Sequence, residues 1–592
     1  MSAIEQECKL NKKSDKTNIK SKPKKENLIK KIFLSNNQND NPFPSPKIYI
    51  FLFLTMSLAT IINTQRQFVS GSSLVSLKFN KTGTVTILNP SFSPTPNKIY
   101  INTDLSSYSN TINILNINDE IKLEWDNNLN NCSTMFKDLI NAVLIDLSYF
   151  VSTQVKDTYY MFYNCPSLTS INLNGFTTSL VTNMERMFQG CITLYRLDVS
   201  SFNTASVKNM AGLFMLCSVI TSLDVSNFDT SSVINMQDMF RSCNKLLFLN
   251  LTNFDTSKVV NMYGMFSFCN ELTSLIITSF NTSKVTNFGG FFSACHTFTS
   301  IDLSFLDTSS ATYMINFFQY CKNLESVDIS NFKMGKVGHM ENMFDGCFKL
   351  TSINFGNIDT SSLVNMKSMF QNCYVLSSID LSKFDTSKVE NMNNLFYNCK
   401  ALSSINILHF DTSKVKTMVS MFEKCIALNT LNISTFHPIQ CTDYSKMFLD
   451  CSNLKYVNFY NFFEDENTNY IDIILNTHND IKLCIHTTKE ANIYKTYSNN
   501  LLEECLINEE EDITTDETKK DISTDNIITD TEENKKSTDN TLQRTDSNKK
   551  SSSSITESNT NSNKILIPKI NDLSSDLFNS FGKTNYYTAK HK

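Results

Sequence analysis

Residues 227–251 read NFDTSSVINMQDMFRSCNKLLFLNL, and similar stretches recur through most of the chain. Cys243 in this stretch belongs to a set of twelve cysteines that follow one another at a constant 26-residue interval. The twelve are Cys165, Cys191, Cys217, Cys243, Cys269, Cys295, Cys321, Cys347, Cys373, Cys399, Cys425 and Cys451. Self-similarity with a period of about 20 to 50 residues is typical of solenoids, in which one structural unit is stacked many times. The sequence therefore predicts an elongated repeat protein.

Apolar residues recur with the cysteine, which is position 0 of the repeat. In the unit of Cys243 they are Val233 (position −10), Met236 (−7), Met239 (−4), Phe240 (−3), Leu246 (+3), Leu249 (+6), Leu251 (+8) and Phe254 (+11). An earlier unit around Leu139 keeps these apolar positions without the cysteine. The pattern therefore predicts about thirteen units, between about residues 126 and 463.

Two periodicities within each unit predict its secondary structure. Positions −7, −4, −3 and 0 have the i, i+3, i+4, i+7 spacing of one helix face, and Asn235 or Ser232 is placed to cap such a helix. Leu249 and Leu251 alternate with polar residues, as in a strand with one buried face. We therefore expect an α/β solenoid of helix–strand units, similar to a leucine-rich-repeat array.

A family resemblance follows from the consensus N-F-D-T-S-K-V-x-N-M-x-x-M-F-x-x-C-x-x-L-x-S-L-x-L. It resembles the 26-residue repeat of BspA-like leucine-rich-repeat surface proteins, with Phe in the slot that usually holds Asn or Cys. Asp255, Thr256 and Ser257 can supply turn hydrogen bonds in place of that Asn. The resemblance implies a cell-surface protein that attaches to host, matrix or other cell-surface proteins.

Both ends of the array are expected to be capped, because a solenoid must cover its terminal apolar faces. Residues 65–125 contain alternating segments at 75–79, 85–87 and 121–123, which predict a β-rich N-terminal cap. Residues 464–508 predict a C-terminal cap closed by a candidate disulfide between Cys484 and Cys505. Residues 509–592 are acidic and polar with few aromatic residues, so we expect a disordered tail.

The N-terminal region predicts a relation to a membrane. Residues 48–62, IYIFLFLTMSLATII, form an uncharged apolar run, and residues 48–64 are either a signal anchor or the core of a signal peptide. Residues 1–47 hold eleven Lys against five Asp and Glu, which places this basic tail in the cytosol and the repeats outside. We expect a single-pass protein at the cell surface or, if the run is cleaved, a secreted one.

The outward residue at position +7 is the candidate partner-binding column. Its acidic members are Asp198, Asp224, Asp302, Asp328 and Asp380. Carboxylates on adjacent strands repel one another unless they are screened or engaged, which favours a basic protein partner or a divalent cation along the sheet. The alternative interpretation is a solvated strand face that is polar for solubility.

Larger side chains interrupt this polar face and extend the candidate site. Arg196 and Phe248 lie at position +5, and Ile276 lies at position +7 of the unit that follows Phe248. Phe248 and Ile276 are near enough to touch, and an exposed apolar pair can anchor a partner. Scattered apolar residues are also normal on protein surfaces, so drift between repeats is the alternative.

The cysteine column has three interpretations. Metal binding lacks the clustered Cys and His spacing of zinc sites, so we expect no metal. Disulfides between neighbouring units need Cα atoms within about 7 Å, whereas packed helices usually lie about 8 to 10 Å apart. We therefore expect free buried thiols that act as small apolar residues.

Catalysis and nucleic-acid binding find no support in the sequence. The common catalytic motifs are missing, and His296, His339, His409 and His437 fall in four different repeat positions, so we expect neither an enzyme nor a cofactor. The units carry no basic groove with stacking aromatics. Two function classes remain: a cell-surface protein for binding or adhesion, and a non-catalytic scaffold that is intracellular or membrane-tethered.

Overall fold

The structure is a computed structural model that describes residues 72–461, 463–486 and 492–502. The predictions for the basic tail at 1–47, the apolar segment at 48–64 and the tail at 509–592 lie outside these residues. None of the helices within the described ranges has the length and apolar character of a membrane span.

The described residues form a β-solenoid in which the chain winds about thirteen times around one core, and each winding is called a coil. Its strands are β1 Ser73–Phe79, β2 Gly83–Thr86, β3 Lys98–Ile101, β4 Asp104–Ser106, β5 Thr111–Ile114, β6 Ile121–Trp125, β7 Ala142–Tyr149, β8 Ser170–Asn172, β9 Phe248–Asn250, β10 Ser274–Ile276, β11 Ser326–Asp328, β12 Ser352–Asn354, β13 Thr430–Asn432, β14 Tyr456–Asn458 and β15 Lys482–Cys484. Helix α1 spans Asn492–Tyr497, and a 3-10 turn follows at Ser498–Asn500.

The predicted helix–strand unit is wrong, because the segment from position −7 to 0 is a pair of turns. The N–H of Met239 donates to the carbonyl of Met236 at 3.3 Å, and the N–H of Cys243 donates to that of Phe240 at 3.1 Å. Asp238 and Ser242, the third residues of these turns, have φ of 54° and 60°. A right-handed helix requires negative φ at every residue, so this backbone cannot be helical.

The helical spacing in the sequence has another cause. The first and last residues of each four-residue turn point inward, and two successive turns therefore bury positions −7, −4, −3 and 0. Position −5, which needs positive φ, is occupied mainly by residues that tolerate it. These residues are Gly212, Asp238, Gly264, Gly290, Asn316, Asn342, Asn394 and Asp472, whereas the other coils hold Thr134, Tyr160, Arg186, Ser368, Ser420 and Lys446 there. This column is the sequence signal that separates tandem turns from a helix.

Backbone hydrogen bonds join the turn segment of each coil to that of the next coil. The rows of these hydrogen bonds along the solenoid are called the turn ladder. The N–H groups of Met236, Asp238 and Phe240 donate to carbonyls of the next coil at 3.0, 2.7 and 3.0 Å. Residues at position −8 form a continuous row of parallel bridges, one in each coil, from Asp157 to Asn469. The side chain of Asn235, predicted to cap a helix, instead accepts the N–H of Gln237 at 3.1 Å within a turn.

The strand at positions +5 to +7 forms a second, interrupted parallel ladder. It pairs β9 with β10, β11 with β12, β13 with β14, and β14 with β15. Successive coils pair at equivalent positions of the repeat, as in Leu249 with Leu275. Strand β15 extends the same register to Cys484, so the coil geometry continues into residues 464–485.

The N-terminal strands join this ladder directly. The six-stranded sheet has the order β4-β3-β6-β1-β7-β8, in which β7 pairs antiparallel with β1 and parallel with β8. The three segments predicted as strands lie in β1, β2 and β6 or continue directly from them. The N–H and the side-chain amide of Asn89 donate to the carbonyls of Met135 and Lys137 at 3.1 Å each. The cap therefore satisfies carbonyl groups that the first coil would otherwise leave unpaired.

The solenoid core contains a row of phenylalanines at position −3. Neighbouring rings are stacked with centroids 5.3 to 6.0 Å apart. The row comprises Phe136, Phe162, Phe188, Phe214, Phe240, Phe266, Phe292, Phe318, Phe344, Phe370, Phe396, Phe422 and Phe448. Stacking of identical side chains requires a neighbouring coil, so an isolated unit would lack these contacts.

The prediction of free buried thiols is confirmed for the column cysteines. All twelve are buried and free. Each thiol donates to the carbonyl of the phenylalanine at position −3 in the preceding coil, as Cys243 does to Phe214 at 3.2 Å. Burial raises the pKa of these thiols, to about 12 at Cys191 and Cys269.

The loop after position +11 is held by threonine and aspartate, as predicted. The hydroxyl of Thr256 donates to the carbonyl of Asn281 at 2.9 Å and accepts the N–H of the same residue at 2.8 Å. Within the loop, the N–H of Ser257 donates to the carboxylate of Asp255 at 2.9 Å. Side chains therefore replace the Asn row of a leucine-rich repeat in satisfying the loop backbone.

Candidate functional site

The candidate site is the polar face, defined as the outward residues at positions +5 and +7 of the coils. Parallel pairing places residues of the same position side by side, as Ser326 with Ser352 and Asp328 with Asn354. Strands in such a ladder lie about 4.8 Å apart. The repeat therefore presents a regular array of side chains along the solenoid.

The five predicted carboxylates all lie exposed on this face. Each accepts the N–H of the serine two residues later at 2.9 Å, as Asp224 does from Ser226. Hydrogen bonds from the N–H and hydroxyl of Ser226 lower the pKa of Asp224, and the same kind of contact lowers the pKa of the other four. These groups are therefore ionised at neutral pH and have a structural role in the turn.

Asparagine can fill the same position without loss of the turn. Asn250 accepts the N–H of Thr252 at 3.1 Å, and Asn354 accepts that of Gly356 at 3.1 Å. The amide of Asn354 also donates to the second carboxylate oxygen of Asp328 at 3.0 Å. The turn requires an acceptor oxygen rather than a charge, so the five charges at this position are not explained by folding alone.

One member of the acidic column, Asp224, has a pKa that is influenced by a neighbouring carboxylate. Asp198 and Asp224 occupy the same position in successive coils, and the charge of Asp198 acts to raise the pKa of Asp224. The hydrogen bonds from Ser226 outweigh this effect. The described residues contain no group of three or more His, Cys, Asp or Glu side chains arranged to hold a metal ion. A divalent cation on this column stays a prediction.

The larger side chains of the candidate site also lie on the polar face. Arg196 is exposed, and Phe248 has 47% of its surface in solvent. Ile276 is half-buried and pairs with Asn250, while Phe248 pairs with Ser274. Phe248 and Ile276 therefore occupy diagonal positions on adjacent strands, about 7 to 8 Å apart at Cα, where large side chains can reach each other.

A second outward surface, formed by positions −6 to +1 around the turn ladder, was missed by the sequence reasoning. It carries cation–aromatic pairs from neighbouring coils, with Arg186 5.7 Å from the ring centre of Tyr160 and Lys424 5.0 Å from that of Tyr397. It also contains Asp345, which is 2% exposed and accepts hydrogen bonds from amides on neighbouring coils. The available signal was polar and aromatic side chains about one repeat apart in the same or adjacent columns, as at Arg186 and Tyr160.

Cys484 lies in β15 and is disulfide-bonded. It is fully buried at position +7, where earlier coils expose a polar side chain. Its partner lies outside the described residues, so the pairing with Cys505 stays a prediction.

The comparisons with known proteins agree with the repeat. The family model described as "Mycoplasma protein of unknown function, DUF285" matches residues 102–172, 128–247, 167–276, 260–379 and 364–471. No curated protein matches the chain.

One solved structure, the crystal structure of a TLR13–ssRNA13 complex, is 16% identical over 54% of this chain. The match covers 50% of the TLR13 chain, about half its length, and its TM-score of 0.17 is too low to carry an argument. The five family matches overlap in steps along the array and together cover more than half of the chain. The chain therefore belongs to the DUF285 family, whose function is unknown.

Proposed function

We propose that the chain is a cell-surface protein for binding or adhesion, whose polar face engages proteins on a host, a matrix or another cell. The observation that carries this proposal is the row of charged carboxylates at position +7, where the turn itself requires only an acceptor oxygen. The resemblance to BspA-like surface proteins supports the same function. A long face with a regular charge pattern suits an extended protein partner.

The direct test is an attachment assay with intact cells that display the full chain. The variant replaces the five acidic side chains of the polar face by Asn: Asp198, Asp224, Asp302, Asp328 and Asp380. A matched control replaces the same number of exposed carboxylates on the position +12 edge by Asn: Asp229, Asp255, Asp359, Asp385 and Asp411. Both sets accept a serine N–H, so both variants should keep their turns.

We expect attachment to immobilised matrix and surface proteins to fall in the polar-face variant and to persist in the control. Equal attachment by both variants would contradict a binding role for the acidic column. Protease treatment of intact cells tests the location separately, because peptides from residues 126–463 must be released if the repeats lie outside the cell. Failure of that release would contradict the cell-surface proposal.

A non-catalytic scaffold inside the cell, or tethered to a membrane, is the second candidate. The column of free thiols favours it, because reducing compartments keep thiols free. The disulfide at Cys484 favours the oxidising exterior instead. Burial of the free thiols protects them from oxidation in either compartment, so the disulfide supports the cell-surface proposal more strongly.

A further inference from the structure

An apolar pair interrupts the polar face in the middle of the acidic column. Its members are Phe248 at position +5 and Ile276 at position +7 of the next coil. Most other coils hold Ser or Thr at position +5 and Asp or Asn at position +7. Leu247, beside Phe248, is 46% exposed and enlarges the apolar area. Exposed apolar side chains at positions that are otherwise polar can anchor a protein partner.

The strand ladder is continuous through this apolar pair. Phe248 pairs in parallel with Ser222 of the preceding coil and with Ser274 of the following coil. Ile276 pairs with Asn250 in the same ladder. Backbone pairing fixes the separation of these strands at about 4.8 Å, so the positions of the outward side chains are well defined.

Carboxylates flank the apolar pair on both sides. Position +7 in six successive coils is occupied, in order, by Asp198, Asp224, Asn250, Ile276, Asp302 and Asp328. Two carboxylates therefore come before the coils of the apolar pair, and two come after them. The polar face thus has an apolar centre between two acidic ends.

The two carboxylates nearest to the apolar pair, Asp224 and Asp302, are available to a partner. Both are exposed. Within the part of the chain that the structure describes, neither forms an ion pair, and Arg196 in the coil before Asp224 forms none with it. Charge complementarity therefore favours a partner that brings one basic side chain to each end of the apolar centre.

The spacing of these groups matches an extended peptide that lies along the solenoid axis. Asp224 and Asp302 are three coils apart, or about 14 Å. In an extended chain, residues i and i+4 are about 13 Å apart and point to the same side as residue i+2. Basic residues at i and i+4 can therefore reach both carboxylates while an apolar residue at i+2 packs on the apolar pair.

We propose that Phe248 and Ile276, flanked by Asp224 and Asp302, bind an extended protein segment with the pattern basic-x-apolar-x-basic. This inference rests on the proposed function and deepens it, because it specifies the chemistry and the spacing of the protein partner on the polar face. It assigns the contact to the four coils from Asp224 to Asp302 and gives the more distant carboxylates no direct contact with this segment.

Fluorescence anisotropy of the labelled peptide GSKTFTKSG, titrated with the full chain at low ionic strength, tests the apolar anchor. The peptide should bind the unmodified chain, and the variant Phe248→Ser, Ile276→Asn should bind it at least about tenfold more weakly. Ser and Asn occupy these positions in other coils, so this variant should fold. The matched control Ile234→Thr changes a side chain that is 51% exposed at position −9, where several coils hold Thr, and should leave binding unchanged.

A second pair of variants tests the charges in the same titration. Asp224→Asn, Asp302→Asn should weaken binding about three- to tenfold. The control Asp380→Asn, Asp411→Asn removes the same charge from exposed positions of more distant coils and should leave binding unchanged. Circular dichroism of each variant reports whether the chain stays folded.

A second peptide, GSKTFKTSG, tests the spacing. It has the same composition, but its lysines lie at i and i+3, so the second lysine points away from the polar face. It should bind at least about threefold more weakly than GSKTFTKSG. Equal binding of the two peptides, or no binding of GSKTFTKSG, would overturn the proposal.

The remaining outcomes separate this inference from the proposed function. If the peptide fails to bind while the variant with all five carboxylates replaced still loses attachment, only this inference is overturned. Attachment that persists in that variant would contradict the proposed function and with it this inference. Sedimentation equilibrium tests a second copy of the chain as the occupant. Dimers that are abolished by Phe248→Ser, Ile276→Asn would overturn the proposal of a basic segment.

Discussion

The phenylalanine row makes the sharpest prediction about stability. Phe240 is fully buried and stacks between Phe214 at 5.7 Å and Phe266 at 5.9 Å. Phe248 lies eight residues later in the same coil and is 47% exposed. Replacing each by Ala removes the same atoms from two different environments. The pair therefore separates the contribution of the stack from the effect of the substitution itself.

Phe240→Ala should lower the free energy of unfolding by about 3 to 5 kcal/mol. About 0.5 to 1.5 kcal/mol is expected from each lost aromatic contact, and the rest from lost burial and the cavity that remains. The cavity should persist, because Phe240 also donates its N–H to Met265 at 3.0 Å and the ladder holds the coils at a fixed separation. Phe248→Ala should change stability by less than about 1 kcal/mol.

Urea unfolding followed by circular dichroism measures both variants. Hydrogen exchange of residues 233–258 shows whether the loss is local, as expected when each coil contacts only its neighbours. Equal shifts of the urea midpoint for the two variants would refute the stacked row as a principal source of stability. An equally large loss of protection in distant coils would refute local cooperativity.

Three further predictions concern charge and thiols. Asp224→Ala should destabilise the protein by less than about 1 kcal/mol at pH 7. Asp224→Asn should destabilise it by less, because the Asn side chain keeps an oxygen that accepts the turn hydrogen bond. Urea unfolding of the two variants measures this difference. The lowered pKa of Asp224 stabilises the fold above the unfolded value near 3.8, and the stability difference between the wild type and Asp224→Ala should vanish as the pH falls through the lowered pKa. Burial raises the pKa of Asp345, so the folded state binds the proton of this carboxyl more tightly than the unfolded state does. The free energy of unfolding of the wild type should therefore fall relative to that of Asp345→Asn as the pH rises above about 4. Parallel plots of unfolding free energy against pH for the two proteins would contradict this prediction. Cys347 is buried and its pKa is raised, so it should resist iodoacetamide in the native protein and react after unfolding in urea. Mass spectrometry of the labelled peptides measures both reactions, and rapid labelling of the native protein would contradict the prediction.

The hydrophobic periodicity was sufficient to predict the repeat array but not the backbone conformation within each repeat. The 26-residue spacing and the buried positions followed from the sequence, since identical side chains in successive coils must share one core. The column thiols are free as predicted, but the reason given for it was the spacing of packed helices, which the turn segment does not contain. The helix did not follow, because tandem turns bury the same i, i+3, i+4, i+7 positions as a helix does. Gly264, Asn316 and Asn394 at position −5 indicated positive φ, but the apolar spacing masked that signal.

The exposure of the candidate residues was predicted, whereas their contacts within the turns were not. The sequence placed Asp198 and Asp224 on an outward column, and both are exposed there. It did not reveal that each carboxylate accepts a serine N–H, because alternation within a strand specifies a face and not the turn that follows it. The buried Asp345 was also missed, since its amide partners come from neighbouring coils.

The sequence by itself determined the number and register of the repeats and the set of residues that must be buried, because both depend on side-chain chemistry repeated along one chain. The tertiary structure alone decided how the backbone turns between those residues. Each N–H at position −5 bonds to a carbonyl of the next coil, as that of Asp238 does to Tyr263. A hydrogen bond between coils exists only after stacking, so no single repeat contains the information that selects a turn over a helix.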